Sequence, residues 1–457
     1  MSGKAILRQH YALILSLGGY FGWLLSFALF GPALDANLHA TPLGGAYLTS
    51  FFLPAHALSL LALGLLLQKS SFGYRTTFRS AVLLTALLSV LMIWAAPSLG
   101  VFLMLLLGVV SAIPVLGFAP VLAWGVAPAV RTRCIALSMA LANVLLYAST
   151  RLALSLPGQP AALLAACFLL MPALLFPGCD PPAKRQTSVG AIKVLPWEFI
   201  ALVLIMYLIG GLAYQIVYTP MTDYAASIYL GVLPYVVASI VLASTVDLFG
   251  YRVLAPYALS FMGAAIVLFP TTDAVFGSVL THVLMQAGYA AADLFLWTSL
   301  AEISSRSAKP FATFGLGLSV NLCALFLGLM AYSHWLGLHS LPRLSVAMAG
   351  AFCLFAGVPL CSRLHFERPE QDQAQVELPA FDQQILAEYD LTPRQQQISL
   401  LLLQGLTNED ISLSLGISLN TVKTHLRNVY ARTGTKNRKD LMSLMLKRAG
   451  VSPDETC

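Results

Sequence analysis

The stretch from Ser418 to Arg432 reads SLNTVKTHLRNVYAR, with Lys423 and Arg427 four residues apart and Thr424 and Asn428 beside them. Four residues is about one helical turn, so both cations project from the same side of a helix. Val422, Leu426 and Val429 recur at i, i+4 and i+7 and form an apolar back. The opposite front carries Asn420, Thr424 and Arg427, flanked by Lys423 and Asn428, with Thr421 at the start. These six residues can do hydrogen-bonding chemistry on nucleic acid. Arg and Lys donate to guanine edges and phosphates, while Thr and Asn read other edges. A helix with this division suits the major groove of double-stranded DNA.

A second set of polar residues lies inside apolar runs: Asp293 and Arg151, then Asn143, Gln215, Gln286 and Asn321, with His56 and His282. A charge in hydrocarbon is costly, so an acid or base kept there is a candidate for binding a small molecule. Amides and imidazoles at such positions also bridge helices structurally. The seven cysteines, Cys134, Cys167, Cys179, Cys323, Cys353, Cys361 and Cys457, form no CxxC pair and no Cys/His cluster with metal spacing. No nucleophile–base set and no phosphate-cradling glycine loop stands out, so neither an enzyme nor a cofactor is expected.

The composition states what must position these residues. The chain is 58% hydrophobic and 10% charged, against about 25% charged in soluble proteins. Twelve apolar spans can be drawn, near 11–32, 45–67, 77–96, 99–124, 133–155, 160–177, 197–219, 225–246, 253–270, 274–300, 310–335 and 341–361. Lys4 and Arg8 lead straight into the first span, which is long enough to stay in a bilayer, so no cleaved leader is expected. Short connections predict antiparallel neighbours, and an even span count returns both termini to one side. Of the seventeen basic residues in 1–369, fifteen fall on that side, Arg343 belongs to the other and Arg151 lies within a span. The crowded side is therefore expected to be cytoplasmic, which places the chain in the cell inner membrane with both termini inside.

After Arg363 the composition changes. Residues 364–390 are polar and acidic and read as a tether. Residues 391–450 hold nine basic and three acidic side chains, so this short stretch accounts for the net charge of +6. It predicts four helices. Thr392 caps the first, with Pro393 at its first position. Thr407 and Asp410 open the second as a capping-box-like pair. Gly416 and Ile417 make the turn, Ser418 caps the third helix, and Gly434 follows it. A fourth helix near 437–448 presents Leu441, Leu444 and Met445 as an apolar face suited to a dimer contact. The fold class is all-α: a twelve-helix membrane bundle in two six-helix halves (1–363), the tether (364–390) and a four-helix helix-turn-helix domain (391–450).

Two resemblances can be tied to residues. Phe72-Gly73-Tyr74-Arg75 recurs 177 residues later as Phe249-Gly250-Tyr251-Arg252, each copy after the second span of its half. Asp247-Leu248-Phe249-Gly250-Tyr251-Arg252 resembles the cytoplasmic loop motif of the major facilitator superfamily, which implies two six-helix bundles around a central cavity. The first copy departs from it, with Ser70 where the motif has Asp. The carboxyl-terminal module resembles the LuxR-type DNA-binding domain. The carrying segments are Leu391-Thr392-Pro393-Arg394, Gln404-Gly405-Leu406-Thr407-Asn408, Leu415-Gly416-Ile417-Ser418, and Thr421-Val422-Lys423 with His425, Gly434 and Arg438. The resemblance implies base contacts from Lys423, Thr424 and Arg427, and a homodimer on a two-half-site operator. Gln395 stands where that family has Glu, at the expense of a local salt bridge.

Together these features predict a membrane-bound one-component transcriptional regulator whose membrane body senses a small molecule. The alternative is a facilitator-type transporter with an added regulatory tail.

Overall fold

The computed structural model describes residues 3–29, 44–68, 74–156, 159–178, 195–213, 227–271, 275–307, 309–331, 343–364, 389–403, 408–415, 417 and 419–448. Among these residues every regular element is a helix. The chain divides into two compact units, Met1–Phe366 and Glu367–Cys457. Most of the predicted tether, and with it Thr407, Gly416 and Ser418, lies outside the described residues.

The first unit contains α1 (Gly3–Trp23, running on as a π-helical stretch Leu24–Leu29), α2 (Gly44–Leu67), α3 (Tyr74–Ile93), α4 (Pro97–Pro120), α5 (Pro128–Ser155) and α6 (Gln159–Cys167, with a short continuation Leu170–Leu175). It goes on through α7 (Trp197–Ala213), α8 (Ser227–Phe249), α9 (Leu254–Leu268), α10 (Val275–Ser307), α11 (Pro310–Ala331) and α12 (Arg343–Arg363). Counting the described residues alone, eight of these are long and apolar enough to cross a bilayer; Gln159–Leu175, Trp197–Ala213, Val232–Val246 and Ala347–Arg363 are shorter apolar helices. Prolines at the first turns of α4 and α5 start them where the missing N–H has no helical partner to lose.

The packing repeats. In the first half α1 packs on α5 and α6, α2 on α4, and α3 on α4 and α6. In the second half α7 packs on α11 and α12, α8 on α10, and α9 on α10 and α12, which is the same set with each helix number raised by six. The halves meet through α2 on α11 and α5 on α8, and these two pairs exchange under the same shift. This is the contact pattern of two structural repeats related by a pseudo-twofold, as the duplicated FGYR tetrapeptide implies. Phe72 and Gly73 of the first copy are outside the described residues.

Small residues allow the halves to touch. A Cβ on Gly315 of α11 would sit 2.5 Å from the Leu60 carbonyl oxygen and 2.9 Å from the Gly64 Cα of α2. Backbone therefore lies on backbone at this crossing, the geometry small residues permit between membrane helices. The outer surface is apolar: Leu83, Leu87 and Leu91 on α3, Val237 and Val241 on α8, and Phe352 and Phe355 on α12 are all exposed. A surface of this kind is stable in lipid, where backbone groups are satisfied within each helix.

Two helix ends differ from expectation. The apolar spans 99–124, 133–155, 274–300 and 310–335 leave Arg131 and Arg306 in the connections between them, but α5 begins at Pro128 and α10 extends to Ser307, so both lie within helices. Arg131 is 1% exposed. Its Nη1 donates to Glu302 Oε2 at 2.6 Å, and Arg306 Nη2 donates to Glu302 Oε1 at 2.6 Å. Arg131 Nη2 also donates to the carbonyls of Ala123 (3.0 Å) and Val126 (3.3 Å). Pairing of the charges lets both helices continue past the apolar run that marks them in sequence.

The second unit has α13 (Pro393–Leu403), α14 (Asn408–Leu415), α15 (Leu419–Thr433) and α16 (Arg438–Arg448) around Leu391, Ile398, Leu402, Ile411, Val422, Leu426, Val429, Leu441 and Met445.

Candidate functional site

The exposed polar face of α15 is positioned from the cap of α13 upward. Thr392 opens α13 as a full capping box: the Gln395 N–H donates to Thr392 Oγ1 at 3.3 Å, and the Thr392 N–H donates to Gln395 Oε1 at 3.0 Å. Gln395 therefore fills the role of the Glu it replaces. Arg394 Nη2 donates to the Leu415 carbonyl at the end of α14 (2.9 Å), and Arg438 Nη2 donates to the Leu402 carbonyl near the end of α13 (3.0 Å). These bonds satisfy carbonyls that the helix ends leave open. The Thr435 N–H reaches the Tyr430 carbonyl (3.0 Å) across Gly434, whose φ of 69° closes α15 in a Schellman turn. The Ile417 N–H bonds the Ser412 carbonyl in the same way at the end of α14 (3.0 Å).

On the scaffold so fixed, Val422, Leu426 and Val429 are 0%, 4% and 0% exposed. Asn420, Thr421, Lys423, Thr424, Arg427 and Asn428 are all exposed on α15, and His425 is half-buried between the two faces. Thr424 Oγ1 donates to the Asn420 carbonyl at 2.9 Å, so its hydroxyl is held along the helix. Lys423 and Arg427 share a shallow groove with Asn408, Tyr430, Thr435 and Lys436. Lys436 adds a cation that helical spacing on α15 could not reveal, because it lies beyond Gly434. The apolar face of α16 is turned inward: Leu441 and Met445 are 0% exposed. Leu444, the third residue of that face, is half-buried against the same core.

The membrane unit holds a cavity of about 380 Å³ between its halves. From the first half come Phe21, Leu24 and Leu25 (α1 and its continuation), His56 (α2) and Met139, Asn143, Leu146, Tyr147 and Thr150 (α5). From the second come Tyr207 (α7), Tyr235 (α8), Gln286, Tyr289, Asp293 and Trp297 (α10) and Asn321 (α11). Asp293 accepts hydrogen bonds from Tyr207 Oη at 2.5 Å and Tyr235 Oη at 2.6 Å, one on each carboxylate oxygen. Tyr289 Oη donates to the Gly210 carbonyl at 2.5 Å. His56 Nδ1 faces the Gly108 carbonyl (2.9 Å) and Ser111 Oγ (3.1 Å), both in the first half. Asn143 Nδ2 donates to the Met139 carbonyl at 3.0 Å.

Of the candidate ligand residues, Asp293, Asn143, Gln286 and Asn321 line this cavity together with His56. Arg151 does not; it is exposed on α5. The cavity face of α5 runs through Met139, Asn143, Leu146, Tyr147 and Thr150, and one residue further turns the side chain about 100° away. His282 is buried in α10 outside the cavity lining, and Gln215 lies outside the described residues. Sequence reasoning passed over Tyr207, Tyr235, Tyr289 and Trp297. Their signal was a polar tip within a span, at i+3 and i+11 from Gln286 in the case of α10.

Comparison with known proteins supports this division. Residues 390–445 match the family described as bacterial regulatory proteins, luxR family. The monoamine regulon transcriptional regulator of Klebsiella aerogenes is 38% identical over 98 residues, which cover 20% of this chain and 43% of that relative. The chain thus spans less than half the length of that relative. Among solved structures, the human organic anion transporter MFSD10 (TETRAN) superposes with a TM-score of 0.62 at 15% identity, over 78% of this chain and 99% of that one. A bacterial homologue of the iron transporter ferroportin, in its outward-facing state, gives a TM-score of 0.55 at 14% identity, over 79% and 99%. Residues 390–445 therefore carry a LuxR-type helix-turn-helix domain, and the helical unit before them shares its fold with these two transporter structures.

Proposed function

We propose that the protein is a membrane-bound one-component transcriptional regulator, in which the membrane body (1–363) senses a small molecule, residues 364–390 tether, and the module (391–450) binds an operator. The observation that carries this reading is the presence, in one chain, of an exposed polar and basic face on a LuxR-type third helix and a polar-lined cavity between two repeat halves. Asn420, Thr421, Lys423, Thr424, Arg427 and Asn428 contact the duplex, Lys423, Thr424 and Arg427 on base edges. The module acts as a homodimer on paired half-sites, through a surface other than the buried side of α16. The twelve helices cross the inner membrane with both termini cytoplasmic, following the basic-residue bias.

A ligand changes the operator complex only if it binds one arrangement of the two halves better than the other. The test is footprinting of promoters near the coding sequence with the full chain in nanodiscs. Protection that disappears in a Lys423→Ala/Arg427→Ala variant is the expected result; equal protection by that variant overturns the DNA-contact assignment.

The transporter-type fold favours one second reading, a carrier that also regulates. Substrate counterflow in proteoliposomes separates the two. The organic anion named for one structural neighbour does not carry over: the cavity presents a carboxylate, and no Lys or Arg among its described lining residues.

A further inference from the structure

We propose that the ligand of the membrane cavity is an organic cation, a protonated amine on a compact apolar body, with Asp293 as its counter-charge. The proposal rests on the cavity being the sensing site. Asp293 is the one acidic side chain among the described lining residues, and neither Lys nor Arg faces it there. Its two oxygens each accept one tyrosine hydroxyl, from Tyr207 and Tyr235. A carboxylate offers about four lone-pair sites, so acceptor capacity remains for ammonium protons.

Tyr207 and Tyr235 hold that carboxylate, and Tyr289 and Trp297 add aromatic rings to the same cavity lining. Ring faces attract a desolvated cation and gain nothing from an anion. The imidazole in the lining, His56, has its Nδ1 side occupied by Gly108 and Ser111. Phe21, Leu24, Met139 and Leu146 give the first half an apolar stretch of wall, beside Asn143, Tyr147 and Thr150. An amine would place its charge on α10 in the second half and its body against α1 and α5 in the first. That gives one molecule a hold on both halves, which is what differential affinity for one arrangement requires.

The test uses the full chain in nanodiscs, with 2-phenylethylamine and hexylamine as probes, 2-phenylethanol as the uncharged counterpart and phenylacetate as the anion. The expected result is a rise in the thermal midpoint with the amines alone. Affinity for amines should fall by roughly thirtyfold or more in Asp293→Asn, because the ammonium loses a buried partner. Arg151→Gln, on α5 but outside the cavity lining, should bind amines within a few-fold of the parent. Should Asp293→Asn fail to fold, charge selectivity in the parent decides.

Equal stabilisation by phenylethanol or phenylacetate, amine binding undiminished in a folded Asp293→Asn, or no stabilisation by either amine overturns the proposal. Footprinting the operator in the same samples separates the two readings. Amine binding that leaves the footprint unchanged sinks the sensor reading while the ligand class stands; a footprint that responds to phenylacetate alone does the reverse.

Discussion

At the scale of single residues, Gln395 shows how a substitution that looks like a loss can be neutral. A Glu at this place would add charge to the first turn of α13, where the helix dipole favours it. Gln supplies the same reciprocal hydrogen bonds with Thr392 without the charge. Gln395→Ala should remove one arm of the box, and caps of this kind contribute about 1 kcal/mol. In a unit of this size that lowers the midpoint of the module's thermal transition by roughly 4–8 °C. Gln395→Glu should leave the midpoint unchanged or raise it. Calorimetry of the two variants checks this, and equal destabilisation by both would show that the box is not what holds the turn. Lys423 and Arg427 differ from Gln395 in being exposed, so their replacement should change DNA affinity and leave the module's stability within about 0.5 kcal/mol.

Elements explain why one site could be read from the sequence and the other only in part. The third helix of the module has a sharp apolar stripe and a sharp polar face, so its rotation about its own axis follows from the residues. The membrane helices α2, α4, α7 and α8 are apolar nearly all round. Such a sequence announces a span and hides which side faces lipid, the partner half or a cavity. Asp293 and Asn143 were legible because polar groups in lipid are costly, whereas Arg151, judged by the same rule, stands one residue past the cavity face of α5. Repeat packing was legible from a duplicated tetrapeptide, but the Arg131–Glu302–Arg306 cluster was not, since Arg131 is far in sequence from the Glu302/Arg306 pair and meets it only when α5 and α10 come together. Glu302→Gln should leave the buried Arg131 without its counter-charge, a loss of about 3–5 kcal/mol by analogy with broken buried pairs. Gly315→Leu should do more: its side chain would have to enter the space held by the Leu60 carbonyl and Gly64. The expected outcome is a Glu302→Gln protein that inserts with a lowered midpoint, and a Gly315→Leu protein whose halves fail to associate, read by protease sensitivity in the bilayer. A Gly315→Leu protein as resistant as the parent would place the contact between halves elsewhere.

For the whole molecule, the proposed function requires free energy to pass between two compact units. Linkage fixes the form this must take. If an amine changes operator affinity by some factor, saturating operator DNA must change amine affinity by the same factor. Couplings of this kind are typically about 5- to 150-fold, or 1–3 kcal/mol. Introducing a protease site within residues 364–390 turns this into a decisive measurement. In the intact chain, amine affinity measured with and without operator should differ by the factor that operator affinity shows with and without amine. After cleavage the module should still bind operator, the membrane unit should still bind amine, and both factors should fall to one. If both factors are one before cleavage, the chain is not a sensor of that ligand. If they survive cleavage, the tether is not the path, and coupling must run through direct contact between the units instead.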